Sequence, residues 1–193
     1  MTSYFENDEY EDKDFVGLDL SDKTVRDISF FNCTFERCSF QYTDINSCSF
    51  DNCDFSNCNL SLAKLQATHL FDVRFTSCKL MGINWGNVKG LFKAEFTDCV
   101  LDNTVFPNLN LQQFSFVDCT FTGASFIDSN LSYATFDDCD LEGCLFDSNN
   151  LTKANFSTAF GYKIDVSKNT IKQARFSLPE AISLLENFDI EIG

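Results

Sequence analysis

The chain has 193 residues, 44% of them hydrophobic, and carries 14 Lys plus Arg against 29 Asp plus Glu, a formal charge of −15. That length supports one sizeable packed domain or two small ones. The charge runs opposite to what neutralising nucleic-acid phosphates requires, so no direct nucleic-acid contact is expected and a charge-selected partner should be basic.

The first residues lack the basic-then-apolar pattern of a secretory signal peptide, and no run approaches the roughly 18 apolar residues of a membrane span. Residues 1–14 hold Glu6, Asp8, Glu9, Glu11, Asp12 and Asp14 against Lys13. They read as an acidic N-terminal arm or as a partly ordered cap, tethered by Phe15.

From Phe15 the chain is periodic. Every fifth residue is apolar: Phe15, Leu20, Val25, Phe30, Phe35, Phe40, Ile45, Phe50, Phe55, Leu60, Leu65, Leu70, Phe75, Leu80 and Trp85. One extra residue enters the stretch Gly86–Gly90. The pattern resumes at Leu91, Phe96 and Leu101, runs to Phe156, fades through Gly161, Val166 and Ile171, and ends at Phe176. Neither the 3.6-residue period of a helix nor the 2.0-residue period of a strand gives this spacing. Two residues before each centre stands a compact side chain, such as Cys33, Cys38, Thr43 or Ala63, and the remaining positions are mostly polar.

A chain that turns a corner every five residues buries positions i and i−2 and exposes the other three. Four corners make one coil, and coils stack at the sheet spacing of about 4.8 Å. Phe15, Phe35, Phe55, Phe75, Phe96, Phe116, Phe136, Phe156 and Phe176 then form one inner column. Phe30, Phe50, Leu70, Leu91, Leu111, Leu131, Leu151 and Ile171 form the next, provided the extra residue bulges without adding a coil. The expected fold is an all-β solenoid, a quadrilateral β-helix of about eight coils over residues 15–176 and roughly 40 Å long. Each buried Phe or Leu contributes about 1.5–3 kcal/mol gross.

All ten cysteines (Cys33, Cys38, Cys48, Cys53, Cys58, Cys78, Cys99, Cys119, Cys139 and Cys144) fall at position i−2. Stacked in columns, their Cβ atoms stay about 4.8 Å apart, beyond the roughly 3.5–4.5 Å of a disulfide, and they do not converge as zinc ligands do. They read as small apolar fillers, with no metal or cofactor expected. Ten unpaired thiols fit a reducing, cytoplasmic compartment. The single histidine, His69, precedes an inward leucine and should face solvent. With no nucleophile and acid arranged around it, no catalytic residue is expected and the protein reads as non-enzymatic.

At the C-terminus, Ser177-Leu178-Pro179-Glu180 reads as a capping box with Pro in the first turn. Ala181, Leu184, Leu185 and Phe188 follow on one face of a short helix. Ile190 and Ile192 alternate with Asp189 and Glu191, as in an edge strand. Residues 177–193 are therefore expected to cap the solenoid. Their surplus apolar surface suits a second copy, which makes Ala181, Leu184, Leu185, Phe188, Ile190 and Ile192 the expected homodimer interface.

The repeat resembles the pentapeptide-repeat family, as in Cys-Asp-Phe-Ser-Asn at Cys53–Asn57, Cys-Asp-Leu-Glu-Gly at Cys139–Gly143 and Ala-Asn-Phe-Ser-Thr at Ala154–Thr158. The resemblance implies a right-handed quadrilateral β-helix. The tail from Ala174 through Ala181 and Phe188 to Ile192, with Gly82-Ile83-Asn84-Trp85 at mid-chain, is similar to the topoisomerase-poison immunity group of McbG- and AlbG-like proteins, and more distantly to Qnr and MfpA proteins. That implies a dimeric rod which binds DNA gyrase or topoisomerase IV where DNA would lie, shielding it from a poison or inhibiting it. The Qnr members that protect best carry projecting loops, whereas this chain has only its one-residue bulge.

Between Ala94 and Thr152 there is no Lys or Arg, yet there are ten acids: Glu95, Asp98, Asp102, Asp118, Asp128, Asp137, Asp138, Asp140, Glu142 and Asp147. All fall at outward positions, with Asp98, Asp118 and Asp138 one coil apart. Shared among four faces, they would leave any one face about a third of the total charge density, diluting the match with duplex DNA. The expected activity is DNA mimicry, competition for the basic DNA site of a type II topoisomerase. The bland alternative is that Asp and Asn suit the corners and surplus acid keeps a β protein soluble. A rival function is a general interaction scaffold reading shape through the outward aromatics Phe31, Phe71, Phe92 and Tyr133.

Overall fold

The computed structural model describes residues 5–90, 92–188 and 190. Each five-residue step is a three-residue strand or a single bridge whose central side chain points inward, followed by a corner. The residue two after most centres takes a left-handed backbone, as at Asp22, Asn32, Asn52 and Asn57. Asp and Asn enter that region at the lowest cost of any residues with a side chain.

Four faces result, and the coils pair in parallel along each. The Phe15 face is a nine-stranded sheet built from Asp14–Val16, Thr34–Glu36, Asp54–Ser56, Val73–Thr76, Ala94–Thr97, Ser115–Val117, Thr135–Asp137, Asn155–Phe156 and Arg175–Phe176. The next, the Leu20 face, is a line of single bridges from Asp19↔Ser39 to Asp140↔Phe160. The Val25 face carries Thr24–Arg26, Asp44–Asn46 and Lys64–Gln66, then Val105–Pro107, Ser125–Ile127 and Leu145–Asp147. The Tyr10 face carries Glu9–Glu11, Ser29–Phe31, Ser49–Asp51 and His69–Phe71, continued by bridges at Asn110, Asn130, Asn150 and Thr170. The whole is an all-β parallel solenoid of about eight turns, a right-handed quadrilateral β-helix with one small C-terminal helix.

The phenylalanine column is continuous. From Phe15 to Phe176 each ring stacks on the next with centroids 4.6–5.3 Å apart, the mid-chain slip included. Leu62 N–H meets Met81 C=O in the original register, whereas Ala67 N–H meets Asn87 C=O and Val73 pairs with Ala94, each one residue later. The extra residue is thus accommodated between Met81 and Ala94, around a 3-10 turn over Trp85–Asn87. Gly86 in that turn is obligatory on contact grounds, because a Cβ there would meet Pro107 Cγ at 2.5 Å. One expectation changes here, and another falls on a residue that is not described. Leu91 lies outside the described residues. Phe92, expected to face outward, is buried against Trp85 with ring centroids 5.4 Å apart.

Both ends are closed by apolar side chains. Phe5 is buried edge-on against Tyr10, Phe15 and Phe30 at 5.3–5.7 Å, and Glu9–Glu11 pairs with Ser29–Phe31, so residues 5–14 wind into the first coil. At the other end a 3-10 helix spans Glu180–Phe188. The expected capping box is replaced by backbone contacts: the carbonyl of Ser177 accepts from Ala181 N–H at 2.9 Å and that of Pro179 from Ile182 N–H at 3.0 Å. Leu184 packs against the core, and Ser183 Oγ donates to the Tyr162 carbonyl at 2.9 Å. Among the described residues no helix is long and apolar enough to cross a membrane.

All ten cysteines are buried and unpaired. They do more than fill space, since each column thiol points at a carbonyl of the preceding coil: Cys58 to Phe35 at 3.2 Å, Cys78 to Phe55 and Cys99 to Phe75 at 3.4 Å. At equivalent i−2 positions, Thr43, Ser129 and Asn149 donate to the same kind of carbonyl at 2.8–2.9 Å. Position i−2 therefore takes a compact side chain, either one that donates, as Cys, Thr, Ser and Asn do, or a plain apolar filler such as Ala63, Ala124 and Ala154.

Candidate functional site

The solenoid sorts the ten acids more narrowly than their spread along the sequence suggests. Asp98, Asp118 and Asp138 are corner residues at φ 52–53°, one per coil, on the edge where the Phe15 face meets the Leu20 face. Glu95 and Asp137 flank Phe96 and Phe136 on the Phe15 face. Asp102, Asp140 and Glu142 flank Leu101 and Leu141 on the Leu20 face. Eight carboxylates thus occupy two adjoining faces and their shared edge, although either face without the edge carries no more than about a third of the ten. The other two are set apart, Asp147 on the Val25 face and Asp128 at that face's far corner.

Neutral hydrogen-bond partners from the same or neighbouring coils position these residues. Ser77 Oγ donates to Asp98 Oδ2 at 2.7 Å, and Thr120 Oγ1 and Thr122 N–H donate to Asp102 Oδ1 at 2.8 and 3.0 Å. Glu142 N–H donates to Asp140 Oδ1 at 3.0 Å, and Asp138 N–H donates to Thr158 Oγ1 at 2.9 Å. Among the described residues no ion pair reaches any of the ten. Arg74, the register neighbour of Glu95, is held by Asp54, and Lys93 by Asp72. The supporting Ser77, Thr122 and Thr158 escaped the sequence reading, although each stands one coil from the carboxylate or amide it meets.

The expected dimer residues divide. Leu185, Phe188 and Ile190 are exposed, while Ala181 and Leu184 are half-buried against the last coil. Ile192 lies outside the described residues. Phe160, Leu178 and Ile182 add to the exposed apolar surface at this end. Of the outward aromatics, Phe31, Phe71 and Tyr133 are exposed as expected.

Short parallel strands repeating every five residues, left-handed corners and a stacked phenylalanine column define a pentapeptide-repeat β-helix. The chain belongs to that family: the family model described as Pentapeptide repeat region matches residues 28–90 and 89–176. No curated protein matches the chain. Among solved structures it is similar to HetL, a pentapeptide repeat protein involved in heterocyst differentiation regulation from the cyanobacterium Nostoc sp. strain PCC 7120, at 16% identity over 88% of this chain and 86% of that one, with a TM-score of 0.60. It is also similar to trypsin-treated QnrB1, a plasmid-mediated fluoroquinolone resistance protein, at 18% identity over 96% of this chain and all of that one, with a TM-score of 0.52. At these identities the likeness is one of fold.

Proposed function

We propose that this protein is a non-enzymatic mimic of duplex DNA that binds a type II topoisomerase, DNA gyrase or topoisomerase IV, and modulates it or protects it from a poison. The observation that carries this reading is the gathering of eight unpaired carboxylates on two adjoining faces. They span three coils, roughly 14 Å of axis at about 4.8 Å per coil, or one charge per about 1.8 Å, against about 1.7 Å for duplex DNA. A basic DNA-binding surface is attracted by such a field. The likeness in fold to QnrB1, a fluoroquinolone resistance protein, supports the antibiotic side of the reading. The exposed end around Leu185 and Phe188 supports a homodimer joined through its C-terminal ends, with the two acidic stretches near the centre of the rod.

A supercoiling assay with gyrase, with and without a fluoroquinolone, tests the proposal. Wild-type protein at micromolar concentration should alter supercoiling or relieve the drug. A variant carrying Asp98→Asn, Asp118→Asn and Asp138→Asn should need at least tenfold more protein for the same effect. No effect of the wild type in either assay would remove the proposal and leave the general interaction scaffold, which the exposure of Phe31 and Phe71 favours.

A further inference from the structure

The exposed aromatics of the Tyr10 face lie in one vertical line with a carboxylate between them. Register pairs Phe31 with Asp51 and Asp51 with Phe71, so the three side chains project from the same position on consecutive coils. Phe31 is 52% and Phe71 39% exposed, and Asp51 between them is half-buried. Among the described residues the Asp51 carboxylate takes part in no hydrogen bond or ion pair. The two rings stand two coil steps apart, about 10 Å at the sheet spacing.

The molecule shows what a one-coil step does between a cation and a ring. Lys153 Nζ, one coil beyond Tyr133, sits 4.9 Å from its ring centroid and donates to its hydroxyl. Lys93, from the coil beyond Phe71, sits 5.7 Å from that ring while paired with Asp72. A cation held by Asp51 would be one coil from Phe31 and one from Phe71, about 5 Å from each and inside the roughly 6 Å reach of a cation–π contact. Lys93 reaches Phe71 from the following coil, whereas Asp51 stands on the preceding one, where an incoming group would enter.

We propose that Phe31, Asp51 and Phe71 form a recognition slot for an arginine side chain of a partner protein. A guanidinium is planar, with two faces to offer the two rings and a fork of N–H donors matching both carboxylate oxygens, whereas an ammonium is a compact, strongly hydrated point charge. The slot lies on a different face from the acidic edge and does not depend on it.

Titration of the full chain with N-acetyl-arginine amide, followed by NMR of the phenylalanine rings, tests the slot. The arginine probe should shift the Phe31 and Phe71 resonances saturably, and N-acetyl-citrulline amide, its neutral isostere, should not. Asp51→Asn should abolish the shifts, and Phe31→Thr or Phe71→Thr should weaken binding at least threefold. The triple asparagine variant of the acidic edge should bind as wild type does, which separates this result from any outcome with topoisomerase. Equal shifts from citrulline, unchanged binding by Asp51→Asn, or equal affinity for N-acetyl-lysine amide would each overturn the assignment.

Discussion

A corner aspartate serves two masters, the backbone and the field, and substitution separates them. At Asp118 the φ of 52° is least costly for Asx side chains and most costly for β-branched ones, so it admits Asn. Asp118→Asn should therefore leave stability within about 0.5 kcal/mol, while Asp118→Val, branched in a left-handed position, should cost about 1–2 kcal/mol. Urea midpoints read both. The bland account of the acids is thus half right: corner geometry explains why Asx residues stand there, but not why Asp replaces Asn at three successive turns of one edge. The buried thiols give a second residue-scale expectation. Burial pushes Cys53 up to about 12, and the hydrogen bond to Cys119, with burial, does the same for Cys99. Their folded values exceed the unfolded value of about 8.5, so their contribution is intact below that pH and is lost as pH rises toward 12. Urea midpoints should fall between pH 9 and 11, by an amount on the order of 1 kcal/mol per thiol. A flat profile would contradict the burial of these groups.

Among the elements, the C-terminal helix separates closure of the tube from association. Leu184 packs against the core and Leu185 faces out. Leu184→Glu should lower stability by about 2–4 kcal/mol by burying a charge. Leu185→Glu should keep the unfolding midpoint and halve the mass measured by light scattering. A monomeric mass for the wild type would remove the dimer. The strands themselves were legible, because a five-residue apolar period has no competing interpretation and the Phe15–Phe176 column repeats it at the next level. The slip was legible only to within a few residues. Leu91 and Phe92 are both apolar, and nothing in the Phe92 side chain says whether a single inserted residue turns it inward; its packing against Trp85 does. The capping box misled for a related reason: Ser177 satisfies the first helical N–H through its carbonyl, a role any residue can play. As for the acids, their outward direction followed from the period. Their concentration on two faces did not, because it requires counting corners around the coil as well as along it.

The whole molecule is a stack, and a stack carries its charge at the pitch of its coils. Electrostatic attraction to a basic partner should weaken with salt, since the Debye length shrinks from about 10 Å at 0.1 M to about 3 Å at 1 M. Inhibition or protection of topoisomerase should therefore fall at least tenfold between about 50 and 300 mM salt, measured as the concentration for half effect. Binding through the Phe31–Asp51–Phe71 slot, with its aromatic walls, should fall less over the same range.

The coil pitch also fixes what kind of likeness to DNA is available. Phosphates along one strand are spaced about 3.4 Å apart along the helix axis, whereas rungs such as Asp98, Asp118 and Asp138 recur about every 4.8 Å. The two rulers coincide only after about five coils against seven nucleotides, a longer run than the three-rung edge provides. A rigid array of phosphate-binding groups could not meet carboxylate after carboxylate in step. The counterpart that this vernier admits is one whose cations ride on long, pliable side chains and answer to potential more than to position.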